Sequence, residues 1–196
     1  MTGKFVVFEG IDGSGKTTII NRLADHFLQS GYSTLVRKEP TDDRAIGRLI
    51  QQYLREGPPL PKYSEALLFI ADRYDHTENV LKPALEEYDL VLCSRYKWTT
   101  LAYQTEDRWE QGRLEFLQPW AIIPNLAIFL DVIPEIGLRR AGKTEDLTAR
   151  LERLTIARDN YLYYVCRGEL IPLDTVLLSE DEVFEHCVKL IEVILS

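Results

Sequence analysis

Residues 8–18 read Phe8-Glu9-Gly10-Ile11-Asp12-Gly13-Ser14-Gly15-Lys16-Thr17-Thr18. An apolar run at 5–8 leads into them and has the character of a buried strand. Ile19, Ile20, Leu23, Ala24, Phe27 and Leu28 follow at helical spacing. Strand, glycine-rich turn and helix come in that order. The turn carries G-x-x-x-x-G-K-T, the phosphate-loop pattern in the context it requires. Gly10, Gly13 and Gly15 let backbone N–H groups face inward as an anion nest, together with the backbone of Ile11, Asp12, Ser14 and Thr18. The helix start adds free donors and a positive dipole end. Lys16 has the length to reach β- and γ-phosphates, and the Thr17 hydroxyl suits a magnesium shell.

Working outward, strands are expected at 33–37, 90–93, within 125–131 and at 175–178, each short and apolar. Helical patterns lie between them. One carries Ile46, Leu49, Ile50, Tyr53 and Leu54 and stops at Gly57-Pro58-Pro59. A long one spans 64–87, where Pro83 introduces a kink or a fresh turn. Others are expected at 98–104, 108–120, 134–141, 147–164 and 180–195. Five strands alternating with helices predict an α/β fold of the P-loop NTPase type: a five-stranded parallel sheet with helices on both faces. With 196 residues the chain reads as one domain, 1–196.

Composition narrows the function. Net charge is −8, so the surface is poorly suited to nucleic acid, whose phosphates need a basic face. Cys93, Cys166 and Cys187 are odd in number and widely spaced, which fits free thiols rather than a disulfide framework or a zinc site. No leader pattern precedes the first strand and no apolar run approaches membrane-span length. A cytoplasmic protein without membrane contact is the expectation.

In a parallel sheet, ligands bind beyond the carboxyl ends of the strands. The segments there hold Lys38-Glu39-Pro40, then Ser94-Arg95-Tyr96 with Thr99, Thr100, Tyr103 and Gln104, then Asp131. Arg73 and Arg95 stand on different elements near this edge. Phe69 and Arg73 are four apart and share a helix face, an arrangement that can stack a base and bond its edge. Arg139, Arg140, Lys143, Arg150 and Arg153 form a basic cluster interrupted by Gly142, Glu145 and Asp146, which suits a short mobile lid over 134–150. Taken singly, each of these arginines is more often a solvated surface charge.

The P-loop stretch, with Glu39-Pro40, Leu68-Phe69-x-Ala71-Asp72-Arg73, Arg95-Tyr96, Ala102-Tyr103-Gln104 and Leu130-Asp131-Val132 in this order, resembles the thymidylate kinases over nearly the whole chain. The resemblance implies transfer of a phosphoryl group from ATP, with Mg2+, to dTMP in dTTP synthesis, by a homodimer. It implies that Asp12 meets the sugar 3′-hydroxyl, Phe69 stacks on thymine, and Arg73 donates to thymine O4. Arg95 would hold the acceptor phosphate, with Thr100 and Gln104 at the base and Tyr103 crowding a ribose 2′-hydroxyl. Ser94 departs from the family's usual aspartate, and Thr41-Asp42-Asp43 replaces the Gly-Gly common after Glu-Pro. The first departure turns attention to Asp131, or to Glu9, for the metal.

The acceptor of such a reaction is already ionised, so no base is needed and catalysis is positioning plus charge stabilisation. Lys16 and Arg95 are the expected catalytic cations. The P-loop interior carries no cation, so Arg139, Arg140 or Lys143 of the lid is expected to supply the remaining charge. Alternatives stay open at this level: a kinase for another nucleoside monophosphate, a deoxynucleoside kinase with Glu9 as base, or a non-catalytic nucleotide-binding regulator or ATPase.

Overall fold

A computed structural model describes residues 2–105, 107–142 and 147–196. Five strands form one parallel sheet: β1 (Lys4–Glu9), β2 (Thr34–Lys38), β3 (Leu90–Ser94), β4 (Leu126–Asp131) and β5 (Ile171–Asp174), in the order β2-β3-β1-β4-β5. The helices are α1 (Lys16–Gln29), α2 (Ala45–Glu56), α3 (Lys62–His76), α4 (Lys82–Glu87), α5 (Lys97–Tyr103), α6 (Arg108–Phe116), α7 (Pro134–Arg140), α8 (Leu147–Cys166) and α9 (Glu180–Leu195). The expected α/β architecture with a parallel sheet is the observed one.

Strand alternation sorts the core into two layers. Val6, Phe8, Leu92 and Ile128 face Ile20, Leu23 and Phe27 of α1 and Val188 and Ile191 of α9. Phe5, Val7, Val91, Cys93 and Phe129 face the other way, onto Ala66 of α3, Leu85 of α4, Leu101 of α5 and Tyr161 of α8. β1 is central, and the chain leaves it first toward β3 and β2 and later toward β4. That reversal is a topological switch point, and the crevice for a ligand opens at its carboxyl end, where the P-loop begins.

Two local readings are corrected. The last strand is Ile171–Asp174, not 175–178, which is a turn. Pro172 hides the strand from a sequence reading, because proline cannot donate to a ladder. The position is tolerated because β5 is an edge strand. The 64–87 helix is three pieces: α3, a π-helical turn at Thr77–Leu81, and α4, with Pro83 in the first turn of α4. The widened turn falls where the proline ring would otherwise crowd the preceding turn and leave a carbonyl without its N–H.

Backbone meets backbone beside the P-loop. A Cβ on Gly13 would fall 2.0 Å from the Gly137 carbonyl oxygen, and one on Gly137 would fall 2.6 Å from that of Asp12. Both positions need glycine for this approach, and the contact seats α7 directly on the loop. No helix among the described residues is long and apolar enough to cross a membrane.

Candidate active site

The P-loop wraps the start of α1, with Gly15 at its N-cap in a left-handed conformation (φ 90°). Lys16 is buried, and its Nζ donates to the carbonyls of Gly10 (2.9 Å) and Ile11 (2.8 Å) and to Ser14 Oγ (3.1 Å). Burial, reinforced by the nearby Arg95 charge, holds its pKa well below the ordinary lysine value. Thr17 and Thr18 are exposed at the mouth. A cavity of about 440 Å3 runs from Gly13, Lys16 and Thr17 to Lys38, Glu39, Ser94 and Arg95. This space is bounded by the ends of three adjacent strands, as the switch point dictates.

Arg95 follows β3 and is the only non-glycine residue with positive φ (67°) among the described residues. Its backbone N–H donates to Phe8 O at 2.8 Å, and its Nη2 lies 2.7 Å from Asp12 Oδ1. A left-handed arginine costs of order 1–3 kcal/mol and persists only where the surroundings impose it. The conformation turns the guanidinium back across the sheet edge toward the P-loop.

A second cavity, about 420 Å3, adjoins the first through Asp12, Pro40 and Arg95 and continues to Phe69, Thr99, Tyr103 and Gln104. The guanidinium carbons of Arg95 and Arg153 each lie 5.5 Å from the Tyr103 ring centroid. Tyr103 Oη and Gln104 Oε1 are buried with no hydrogen-bond partner among the described residues. Buried polar atoms are rarely left so, and atoms in this state on a cavity wall are suited to a polar ligand.

Of the residues expected at the base and sugar, the structure brings Asp12, Phe69, Arg95, Tyr103 and Gln104 together on this wall. Arg73 and Thr100 lie behind it. Arg73 is 1% exposed; its Nε donates to Glu39 (2.7 Å), Nη1 to Gln118 (2.5 Å), and Nη2 to Tyr96 O (2.9 Å) and Thr100 Oγ1 (3.0 Å). His76 Nδ1 sits 3.0 Å from the other Glu39 oxygen. Arg73 thus spends four of its five donors on a buried network that ties α3 to the β2 and β3 ends, and Phe69, one turn earlier, reaches the cavity.

The lid expectations are redistributed. Arg139 is exposed and lines none of these cavities. Arg140 donates to Thr175 Oγ1 (3.2 Å) and Thr175 O (2.9 Å), and lines a third cavity, about 470 Å3, on the far side of Gly13, Gly15 and Thr18. Lys143 lies outside the described residues. The cations that join Arg95 on the second cavity are Arg150 and Arg153 of α8. Their spacing of three on a predicted helix, which puts them on one face, was the signal available in the sequence.

Neither acid considered for the metal is free. Both oxygens of Asp131 accept from Arg158, Oδ1 from Nε at 2.7 Å and Oδ2 from Nη2 at 2.8 Å. Glu9 is fully buried and accepts from backbone and hydroxyl donors of α5 and α8. Asp131 is thus paired with a cation, and Glu9 is committed to four donors. No cluster of three His, Cys, Asp or Glu side chains suited to a metal occurs among the described residues.

The family described as Thymidylate kinase matches residues 8–178 of this chain. A probable thymidylate kinase of Pyrococcus abyssi is 39% identical over 204 aligned residues, 98% of this chain and 97% of the relative. The thymidylate kinase of Thermomicrobium roseum is 40% identical over 78% of this chain and 74% of its own, and that of Protochlamydia amoebophila 36% over 78% and 70%. A family match that takes in the P-loop, both cavities and most of the sheet, borne by relatives similar along most of their own length, makes this chain a member of the thymidylate kinase family.

Proposed function

We propose that this chain transfers the γ-phosphoryl group of ATP to the 5′-phosphate of dTMP, giving dTDP and ADP, with Mg2+. The observation that carries the reading is a single crevice in which the Lys16 loop and Arg95 face one cavity, and Phe69, Tyr103 and Gln104 line the next. Donor phosphates on the P-loop and an acceptor phosphate at Arg95 then meet at the strand ends.

Lys16 leaves its carbonyl partners for the donor phosphates and carries the positive charge they favour. Arg95, steadied by Asp12, aligns the acceptor oxygen, which needs no base because it is already ionised. Arg150 and Arg153 supply charge from α8 to the transferring group, the role expected of the lid. Phe69 stacks on the base, Gln104 offers its unpartnered oxygen to a base N–H, and Tyr103 closes the sugar end. Together these side chains hold two phosphates in line and exclude water, which is most of what phosphoryl transfer asks of a protein.

The hydroxyls of Thr17 and Ser94 line the cavity shared with Lys16 and fit a hard, oxygen-seeking ion that keeps several waters and binds largely through phosphates. These two residues would hold Mg2+, which would supply charge neutralisation to the donor phosphates. Exposed Leu49 and Leu54 on α2 and Tyr63 and Leu67 on α3 support a homodimer, the acidic charge supports small substrates over nucleic acid, and three free cysteines support a cytoplasmic setting.

The test is ADP release measured with ATP and Mg2+ alone and then with dTMP, dUMP, UMP or thymidine added. Release that depends on a monophosphate and is fastest with dTMP is expected. Equal release without an acceptor, or preference for thymidine, overturns the reading.

A further inference from the structure

β1 ends on Glu9, whose side chain falls by strand alternation on the face covered by α5 and α8. Val7, Cys93 and Phe129 beside it on that face are apolar, and Glu9 is 0% exposed. A carboxylate in such a place must be fully partnered. Its Oε1 accepts from the backbone N–H of Tyr96 (2.8 Å) and of Thr99 (3.2 Å). Its Oε2 accepts from Thr99 Oγ1 (2.5 Å) and the Tyr161 hydroxyl (3.0 Å). The two hydroxyls are themselves 2.8 Å apart, and Thr99 Oγ1 also lies 3.5 Å from Arg95 Nη1. These contacts hold the segment that follows the left-handed Arg95, whose own N–H is held by Phe8 O.

We infer that Glu9, Thr99 and Tyr161 form a positioning set for Arg95, fixing both its backbone turn and its guanidinium and coupling α8, which carries Arg150 and Arg153, to the acceptor-phosphate site. The inference rests on the reading of Arg95 as the residue that holds the acceptor phosphate. Three features carry it. The carboxylate binds the main-chain N–H of Tyr96, directly after Arg95, and that of Thr99 in the first turn of α5, so it anchors the segment that leaves the left-handed residue. Thr99 touches the carboxylate and the guanidinium with one oxygen. Tyr161 comes from α8, 62 residues beyond Thr99, so a shift of that helix is felt at the turn. Tyr161 is also anchored, its ring stacked 5.0 Å from that of Phe129 on β4. Glu9 and Tyr161 line neither cavity, so what they contribute reaches substrate through Arg95 and Thr99.

The test is a set of double-mutant cycles on the whole protein. Tyr161→Phe keeps the ring and removes only the hydroxyl; Thr99→Val removes the hydroxyl and keeps the shape; Glu9→Gln removes the charge. Each is measured alone and in an Arg95→Ala background, with kcat and KM for dTMP and for ATP and the unfolding temperature. The singles are expected to lose on the order of tenfold in kcat/KM for dTMP, as misplaced groups do, while KM for ATP stays close to native. Thr99→Ser should recover most of what Thr99→Val loses. In the Arg95→Ala background the same changes should cost little further, because they act through Arg95. Full additivity of the losses with Arg95→Ala, or equal losses toward ATP and dTMP, overturns the positioning role. If Arg95→Ala itself leaves dTMP use intact, the underlying reading of Arg95 fails, which is a separate result. Should Glu9→Gln not fold, Tyr161→Phe and Thr99→Val carry the cycle unaided.

Discussion

Arg95 Nη2 lies 2.7 Å from Asp12 Oδ1, so the residue after β3 is tied to the interior of the P-loop after β1. The pair is partly exposed and contributes little to stability, yet it orients a group across the phosphate cavity. Asp12→Asn is expected to shift unfolding free energy by less than about 1 kcal/mol. The same change should lower kcat/KM for dTMP by roughly tenfold, because the guanidinium loses its tether. Denaturant unfolding and steady-state kinetics on one preparation check both halves.

Arg73 is buried and bonded to Glu39, Gln118, Tyr96 and Thr100. Arg73→Ala would leave the buried Glu39 with only His76 beside it in place of a guanidinium and is expected to cost about 3–5 kcal/mol of stability. Phe69→Ala should instead act mainly on dTMP binding, since Phe69 is on the cavity wall. A normal denaturation midpoint for Arg73→Ala together with lost dTMP affinity would return Arg73 to the base edge.

Asp131 is clamped by Arg158. Asp131→Asn is therefore expected to leave the magnesium dependence of activity unchanged while costing about 1–2 kcal/mol through the lost charge-assisted bonds. Ser94→Asp, which places a carboxylate on the cavity of Thr17, should lower the magnesium concentration needed for half-maximal rate. Magnesium titrations of the native protein and both variants decide this.

Arg140 and the pair Arg150 and Arg153 lie on different cavities. Arg153→Ala and Arg150→Ala should lower kcat by on the order of a hundredfold and tenfold respectively, with little change in KM for ATP, the signature of contacts made in the transition state. Arg140→Ala should raise KM for ATP and spare kcat. Initial-rate matrices in both substrates separate the two patterns.

Lys16 gives a pH signature. Burial lowers its pKa in the free protein, so part of the population is neutral in the alkaline range. Donor phosphates favour the charged form and raise that pKa on binding. Between the two values ATP binding must take up protons, and affinity must fall as pH rises. Calorimetric titration in buffers of different ionisation enthalpy should show the uptake, and Lys16→Met should abolish it.

The sequence by itself determined the fold class, the P-loop and its lysine, and which segments reach the strand ends. Those properties are written locally: glycine spacing, apolar periodicity, and the order of strand, turn and helix. It missed β5 because Pro172 is acceptable only at a sheet edge, and an edge is a property of the sheet. It also left open which of several like residues faces ligand. Phe69 and Arg73 share a helix face in sequence, yet one lines a cavity and the other is walled in by Glu39, Gln118 and Thr100. Asp131 stands at a strand end as a metal acid should, and only the return of α8 brings Arg158 to neutralise it. Arg140 and Arg153 are both lid-side cations in sequence; helix α7 directs one toward Thr175 and α8 the other toward Tyr103. A charge's role depends on which distant partner desolvates and pairs with it, and those partners here lie 27 to 50 residues away along the chain.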